Sequence, residues 1–133
     1  MRVFLDTNVI VSAMATRGIC VDVLREVLVR HQLVISENLL DEVKLVLLRK
    51  IGVPPDVVKD ILTLLRDGSA MAIPVPPAHL PIPNSTDRAL ISAAVNGKAD
   101  LFVTGDQELL DLTECGPMNI VSPRMFWDRA KQK

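Results

Sequence analysis

Apolar and polar positions alternate along this chain in blocks that predict strands and helices in turn. Short apolar runs bounded by turn residues predict strands at residues 2–6, 33–35, 71–73, 101–104 and 119–121. Strands that alternate with helices favour a parallel sheet covered on both faces, because each parallel connection needs a crossover. The pattern therefore predicts an α/β fold with a central, mostly parallel sheet of about five strands.

Helices are predicted by apolar residues at helical spacing and by local start and stop signals. Ser36 is expected to cap one helix, which runs to about Lys50 and ends at Gly52. Further helices are predicted at residues 21–29, 56–66, 87–95, 107–112 and 123–127. Residues 74–83 hold five prolines. They predict a stiff connection within a single domain rather than a domain boundary.

Composition and charge narrow the class of protein. At 133 residues, 49% of them apolar, the chain is expected to fold as one domain over residues 1–133. An acid at position 6 argues against an export signal, and Cys20 and Cys115 are expected to stay reduced, so a cytoplasmic location is predicted. Apolar stretches end well before the roughly 18 residues of a membrane span. With a net charge of −1, RNA binding would need local basic patches or a metal ion.

Two of the predicted strands each end on an acid. The stretch FLDTN places Asp6 at the end of the first strand, and LFVTGD places Asp106 after the fourth. Parallel sheets bind ligands outside the carboxyl ends of their strands, where the strand order reverses. Both carboxylates are therefore expected to project into one crevice.

Two predicted helices carry further acids that point toward the same place. On the helix after Ser36, Glu42 lies at the edge of the apolar arc, whereas Asp41 lies outside it and faces water. On the helix at 87–95, Asp87 lies near the centre of the apolar face, where an unpaired charge is costly. No lysine or histidine is an evident partner for it. The alternative is that these acids only flank their helices or favour the helix dipole.

Four carboxylates are therefore the candidate catalytic residues and metal ligands: Asp6, Glu42, Asp87 and Asp106. Acids that converge repel one another and resist ionisation, so a cation would stabilise them. Oxygen-rich sites of this kind suit Mg²⁺ or Mn²⁺ as the cofactor. Such an ion can activate a water and stabilise negative charge on a phosphodiester. The acids thus predict metal-dependent hydrolysis.

Four stretches resemble the PIN-domain family, in particular the toxin components of toxin–antitoxin systems (VapC-like proteins). They are VFLDTNVIVSA, SENLLDEVKLVL, TDRALISAAVNGKADLFVTGDQELL and NIVSPRMFW. Their order and spacing carry the resemblance, which covers nearly the whole chain. It implies a three-layer α/β/α fold and a metal-dependent ribonuclease whose four acids match Asp6, Glu42, Asp87 and Asp106.

The resemblance also assigns the surroundings of those acids. Asn8 and Thr104 match polar residues that brace the first and last acids, and Thr7 and Ser12 belong to the same polar shell. Close relatives often carry a further acid where this chain has Asn84, so this loop is less acidic than the family pattern. The resemblance implies RNA as the substrate, and a homodimer and a cognate antitoxin protein as partners.

The sequence thus predicts an endoribonuclease that uses carboxylate-held Mg²⁺ or Mn²⁺ and an activated water, acting as the toxin of a toxin–antitoxin pair. Two alternatives stay open. One is a non-catalytic RNA- or protein-binding module on a PIN scaffold. The other is a haloacid-dehalogenase-like phosphatase with Asp6 as a covalent nucleophile, although Asn8 then stands where the general acid is required.

Overall fold

The computed structural model describes residues 1–72 and 82–132. Its strands are β1 (Arg2–Leu5), β2 (Gln32–Ser36), β3 (Ala70–Ala72), β4 (Leu101–Val103), β5 (Glu114–Cys115) and β6 (Met118–Val121). Its helices are α1 (Thr7–Ala15), α2 (Ile19–Arg30), α3 (Glu37–Leu45), α4 (Pro55–Arg66), α5 (Ser85–Asn96), α6 (Gln107–Leu110) and α7 (Pro123–Lys131). A π-helical segment, Val46–Ile51, continues α3.

The sheet in the described residues has six strands, in the order β3-β2-β1-β4-β6-β5. All neighbouring strands are parallel except β5 and β6, which are antiparallel. The α/β class and the mostly parallel sheet are confirmed, but the prediction of about five strands is wrong. The additional strand, β5, has only two residues, too few to leave an apolar run in the sequence. It pairs with β6 across a turn at Gly116, whose φ is +59°.

The strand order reverses at the middle of the sheet. From β1 the chain adds β2 and β3 on one side, and then adds β4 and β6 on the other. This reversal leaves a crevice beyond the carboxyl ends of β1 and β4, where α/β proteins bind ligands. The Asp6 amide donates to the Val103 carbonyl at 2.9 Å. The residues that follow β1 and β4 are therefore held side by side.

The centre of the sheet is covered completely. Val3, Phe4 and Leu5 of β1 have no exposed surface, and the rings of Phe4 and Phe102 stack with their centroids 5.3 Å apart. Full burial of a large apolar side chain stabilises a fold by about 1.5–3 kcal/mol. The strands that end at the crevice therefore belong to the most strongly packed part of the protein.

The apolar pattern did not predict helix α1. Its sequence contains several β-branched residues, which locally favour strands. Two features of the fold outweigh that preference. Asp6 caps the helix by accepting a hydrogen bond from the Thr7 amide, and Val9, Ile10 and Val11 are all buried.

The helix after Ser36 begins and ends where predicted, but its second half is different. The Ser36 hydroxyl accepts from the Leu39 amide at 3.3 Å, and Gly52 ends the helix at a φ of +79°. Between Val46 and Ile51, however, the winding is π-helical rather than α-helical. The prediction of one continuous α-helix is therefore wrong in this half.

Smaller corrections apply to other element boundaries. Helices α2, α5 and α7 are longer than predicted, whereas α6 is shorter. The strand predicted at residues 71–73 is observed as β3. Residues 73–81 lie outside the described residues, so the stiff proline-rich connection stays a prediction. Helix and strand ends fray, which makes their limits the least certain part of a sequence pattern.

Within the described ranges, no single helix is both long and apolar enough to cross a membrane. Helices α1 and α2 are long and apolar enough only when they are taken together, and the chain bends by 106° between them. Cys20 and Cys115 are free thiols, as predicted. Burial raises the pKa of both thiols, so they are poor nucleophiles near neutral pH.

Candidate active site

Asp6 lies where the chain leaves β1 and enters α1. Its Oδ1 accepts a hydrogen bond from the Thr7 amide at 2.8 Å, and its Oδ2 accepts one from the Thr104 hydroxyl at 2.7 Å. Only 7% of the residue is exposed. No cation in the described parts of the chain forms a salt bridge with it. Asp6 is thus an oriented, buried carboxylate without a positively charged partner.

Thr104 joins the first acid to the last. Its hydroxyl donates to Asp6 and accepts from the Asp106 amide at 3.0 Å, and the residue is completely buried. The Asp106 side chain caps α6, because its Oδ1 accepts from the Glu108 amide at 2.9 Å. One buried hydroxyl therefore connects the chain segments after β1 and β4.

Glu42 and Asp87 are supplied by helices. Glu42 on α3 is half-buried, whereas its neighbour Asp41 is exposed. Asp87 stands in the first turn of α5 and is half-buried, and its amide donates to the side chain of Asn84 at 3.1 Å. Asn84 therefore serves as the helix cap.

Burial and mutual repulsion raise the pKa of three of these acids. For Asp6 the largest cause is burial, with a smaller contribution from the charge of Asp106. For Glu42, burial acts first, followed by the charges of Asp6 and Asp87. For Asp87, burial is again the largest cause, and the charges of Asp6, Asp106 and Glu108 add to it. Each of the four candidate acids thus repels at least two of the others.

The donor set around the crevice has the chemistry of a site for a hard divalent cation. Carboxylate oxygens are the ligands that Mg²⁺ and Mn²⁺ prefer. The buried Thr7 Oγ1 has no hydrogen-bond partner in the described residues. It nevertheless lies close enough to the Glu42 carboxylate to lower that pKa. The carboxylate oxygens, their mutual repulsion and the unpartnered hydroxyl oxygen are together what a site for a divalent cation requires.

The same acids do not form a ready-made cage. In residues 1–72 and 82–132, no three His, Cys, Asp or Glu side chains are grouped closely enough to hold a metal ion. A cation would therefore have to draw the carboxylates together.

Two further residues of the predicted polar shell, Asn8 and Ser12, are not joined to an acid of the site by a hydrogen bond among the described residues. Asn8 is exposed, and none of the hydrogen bonds among the described residues joins it to an acid of the site. Ser12 is half-buried on α1, and its carbonyl accepts from both the amide and the hydroxyl of Thr16. Thr7 and Thr104 are the shell residues that directly contact an acid side chain, Thr7 through its amide and Thr104 through its hydroxyl.

The sequence analysis did not single out two charged residues that act on the site. Glu108, on the first turn of α6, raises the pKa of Asp87 through its charge. Lys50, near the end of the π-helical segment, lowers the pKa of Glu42. The effect of Glu108 could have been predicted from the sequence, because it stands two residues after Asp106. The effect of Lys50 could not have been predicted, because its position depends on the π winding.

A solved structure has a similar fold. It is a chain in the crystal structure of VapBC2 from Rickettsia felis bound to a DNA fragment from their promoter. The similarity covers 92% of the present chain and 98% of that chain, with a TM-score of 0.63 and 14% sequence identity. At this identity the similarity shows the fold alone.

The sequence itself matches a known family. No curated protein matches it significantly. A family model described as PIN domain, however, matches residues 2–108. That range contains β1 to β4 and all four candidate acids. Because the match covers most of the chain, this protein belongs to the PIN domain family.

Proposed function

We propose that this protein is an endoribonuclease that depends on Mg²⁺ or Mn²⁺ and hydrolyses phosphodiester bonds of RNA. Its catalytic residues and metal ligands are Asp6, Glu42, Asp87 and Asp106. Membership of the PIN domain family supports a nuclease at the level of reaction class. The phosphatase alternative has no such support, because it belongs to a different family.

The observation that carries this proposal is the mutual repulsion of four acids around the crevice beyond the carboxyl ends of β1 and β4, with Asp6 buried among them. Burial and repulsion raise the pKa of Asp6, Glu42 and Asp87. In the described parts of the chain, no salt bridge offsets their charge. Acids with raised pKa values collect at functional sites, and a divalent cation, if bound, would supply the missing positive charge.

The chain's own residues orient the site. The Thr7 amide and the Thr104 hydroxyl hold both oxygens of Asp6. Thr104 also accepts from the Asp106 amide, and the Asp106 carboxylate is held by the first turn of α6. Preorganised groups of this kind lower the reorganisation required during a reaction. A cation bound by the four acids would supply Lewis-acid chemistry, offsetting phosphodiester charge and assisting deprotonation of a water.

The proposal extends to the biological setting. We infer that the protein acts in the cytoplasm as the toxin of a toxin–antitoxin pair, as a homodimer that a cognate antitoxin protein inhibits. The support is the fold shared with a chain of the VapBC2 structure, together with membership of the PIN domain family. Two free thiols agree with a reducing compartment.

A nuclease assay tests the enzymatic proposal. The purified chain should cleave labelled RNA in Mn²⁺ or Mg²⁺, leave 5′-phosphate and 3′-hydroxyl ends, and lose activity in EDTA. Replacing one acid by its amide, Asp6→Asn, should lower the rate by about a hundredfold or more, because the charge that holds the ion is lost. The matched control is Asp41→Asn, which removes an exposed charge beside Glu42. Cleavage by Asp6→Asn at the parental rate would contradict the assignment.

One observation favours a second candidate, a non-catalytic RNA- or protein-binding module on the PIN scaffold. The acids of the described residues are not gathered into a ready-made metal site. Binding of RNA that is unaffected by EDTA, without cleavage in Mn²⁺, would select this candidate over the enzyme.

A further inference from the structure

The crevice is strongly acidic, so an RNA strand needs a cation of the protein near it. The four candidate acids repel one another, and Glu108 adds a fifth negative charge close by. RNA carries one negative charge per phosphate and is bound mainly through lysine and arginine. The net charge of −1 supplies no general attraction. Beyond the proposed metal ion, attraction would come from individual basic residues beside the acids.

Arg88 follows Asp87 on α5, and Arg17 comes just after α1, the helix that Asp6 caps. The Arg88 guanidinium, however, donates to the carbonyls of Ile82 and Pro83 at 2.7 and 3.1 Å. Those contacts hold it against the chain that precedes α5. Arg17 lies in the turn between α1 and α2 and is exposed, and its charge is not among the causes of the raised pKa values. Neither arginine is therefore the best candidate.

The π-helical segment brings Lys50 back to the Glu42 side of its helix. In an uninterrupted α-helix, these residues would lie about 80° apart around the axis. A π turn takes in about one extra residue, which removes most of that angle. The Gly52 amide donates to the Leu47 carbonyl five residues back, which is the hydrogen bond of a π turn. Side chains of a helix also lean toward its N-terminus, so Lys50 reaches toward Glu42.

The environment of Lys50 agrees with this geometry. Lys50 is exposed, and no salt bridge in the described ranges occupies it. By contrast, Arg66 on α4 is paired with Glu37 at 2.7 Å. The Lys50 ammonium is therefore on the Glu42 side of its helix and is available to a ligand.

We propose that Lys50 is a substrate-binding residue that contacts a phosphate of the RNA strand beside the acids. This inference rests on the proposed ribonuclease function and deepens it. The π segment rotates the lysine into the site, and its long side chain lets the ammonium follow the phosphate. Nearly one unit of positive charge then faces the strand at the edge of an acidic crevice.

Lys44 offers a matched control on the same helix. It is also exposed, but it lies two residues after Glu42, about 160° away around the helix axis. There it lines a groove between α3 and α4 with Leu62 and Arg66. Lys44→Met therefore removes the same charge as Lys50→Met from the face that points away from the acids.

The test measures RNA binding separately from cleavage. Lys50→Met, Lys50→Arg and Lys44→Met are each made in the Asp6→Asn background, which removes turnover. Fluorescence anisotropy with a labelled, mixed-sequence, single-stranded RNA library is then recorded over a salt series. Lys50→Met should weaken binding about tenfold and reduce the slope of log affinity against log salt by about 0.7. Lys50→Arg should keep most of the affinity, and Lys44→Met should match its parent.

Two results would overturn the inference. In one, Lys50→Met binds with the affinity and salt slope of its parent. In the other, Lys44→Met loses as much as Lys50→Met, which would indicate a diffuse field rather than a contact. If the unmodified chain cleaves RNA in Mn²⁺ and either result holds, only the role of Lys50 fails. If the unmodified chain neither binds nor cleaves RNA, the proposed function fails, and this inference with it.

Discussion

Replacing Asp6 by asparagine should make the metal-free protein more stable, although it removes a proposed catalytic group. The amide has nearly the same shape as the carboxylate. Its Oδ1 can still accept from the Thr7 amide, so the cap of α1 is kept. At the other position, an NH₂ group replaces the oxygen that accepts from Thr104. The substitution therefore changes charge and one hydrogen bond and leaves the packing intact.

The magnitude follows from two opposing terms. The Thr104 hydroxyl can no longer donate to residue 6, although it can accept from the new amide, and this exchange costs about 1 kcal/mol. Against it stands the removal of a carboxylate that is 7% exposed and repelled by Asp106. Relief of a partly compensated buried charge is worth about 2 kcal/mol. The net gain is about 1 kcal/mol near neutral pH, or roughly 3–5 °C in Tm for a chain of this size.

The pH dependence has a definite sign. Burial, helped by repulsion from Asp106, raises the pKa of Asp6 in the folded protein. The folded state then holds a proton that the unfolded state has released, so stability falls as pH rises through this interval. Asp6→Asn removes that loss. The gain in stability of the variant over the parent should be full above the raised pKa of Asp6. It should vanish as the pH falls to about 4, near the ordinary pKa of an aspartate.

Thermal unfolding followed by circular dichroism in EDTA is the appropriate assay, recorded from acidic to neutral pH. The control is Asp41→Asn, because Asp41 is exposed and its replacement should change stability by less than about 0.5 kcal/mol. Two outcomes would refute the reasoning: a lower Tm for Asp6→Asn at neutral pH, or a Tm difference from the parent that is the same at every pH.

Two further substitutions test the site. Thr104→Val leaves Asp6 Oδ2 and the Asp106 amide without their partner. It should lower the free energy of unfolding, measured in urea, by about 2–3 kcal/mol. An unchanged free energy of unfolding would show that the hydroxyl is unimportant. Glu42→Gln should lower the rate of RNA cleavage by about a hundredfold, whereas Asp41→Asn should keep the parental rate. Equal cleavage rates for the two variants in the same Mn²⁺ assay would show that Glu42 is not part of the site.

Local signals were sufficient wherever one residue type decides a boundary. Ser36 caps α3 through its own hydroxyl, and Gly52 ends the helix because it adopts a positive φ readily. The buried central strands were visible as apolar runs. The same signals failed where packing acts against local preference. The residues of α1 favour a strand by their branching, and burial together with the Asp6 cap makes them helical.

The candidate site also has some features that the sequence shows and others that only the fold shows. The apolar strands that end in Asp6 and Asp106 follow from composition along the chain, and so does the apolar face that contains Asp87. The link through Thr104 does not, because it joins residues separated by 98 positions. The orientation of Lys50 also lay beyond the sequence, since the choice between α and π winding depends on tertiary packing.

The amino-acid sequence by itself indicated the class of fold, the strands at its centre and the four candidate acids. These are properties of composition and spacing, and short-range physics is enough to recognise them. Only the tertiary structure decided which of those acids repel one another, which carboxylate is oriented by buried donors and how the helix around Lys50 winds. Electrostatic energy depends on distance and burial, and both are set by the packing of segments far apart in the chain.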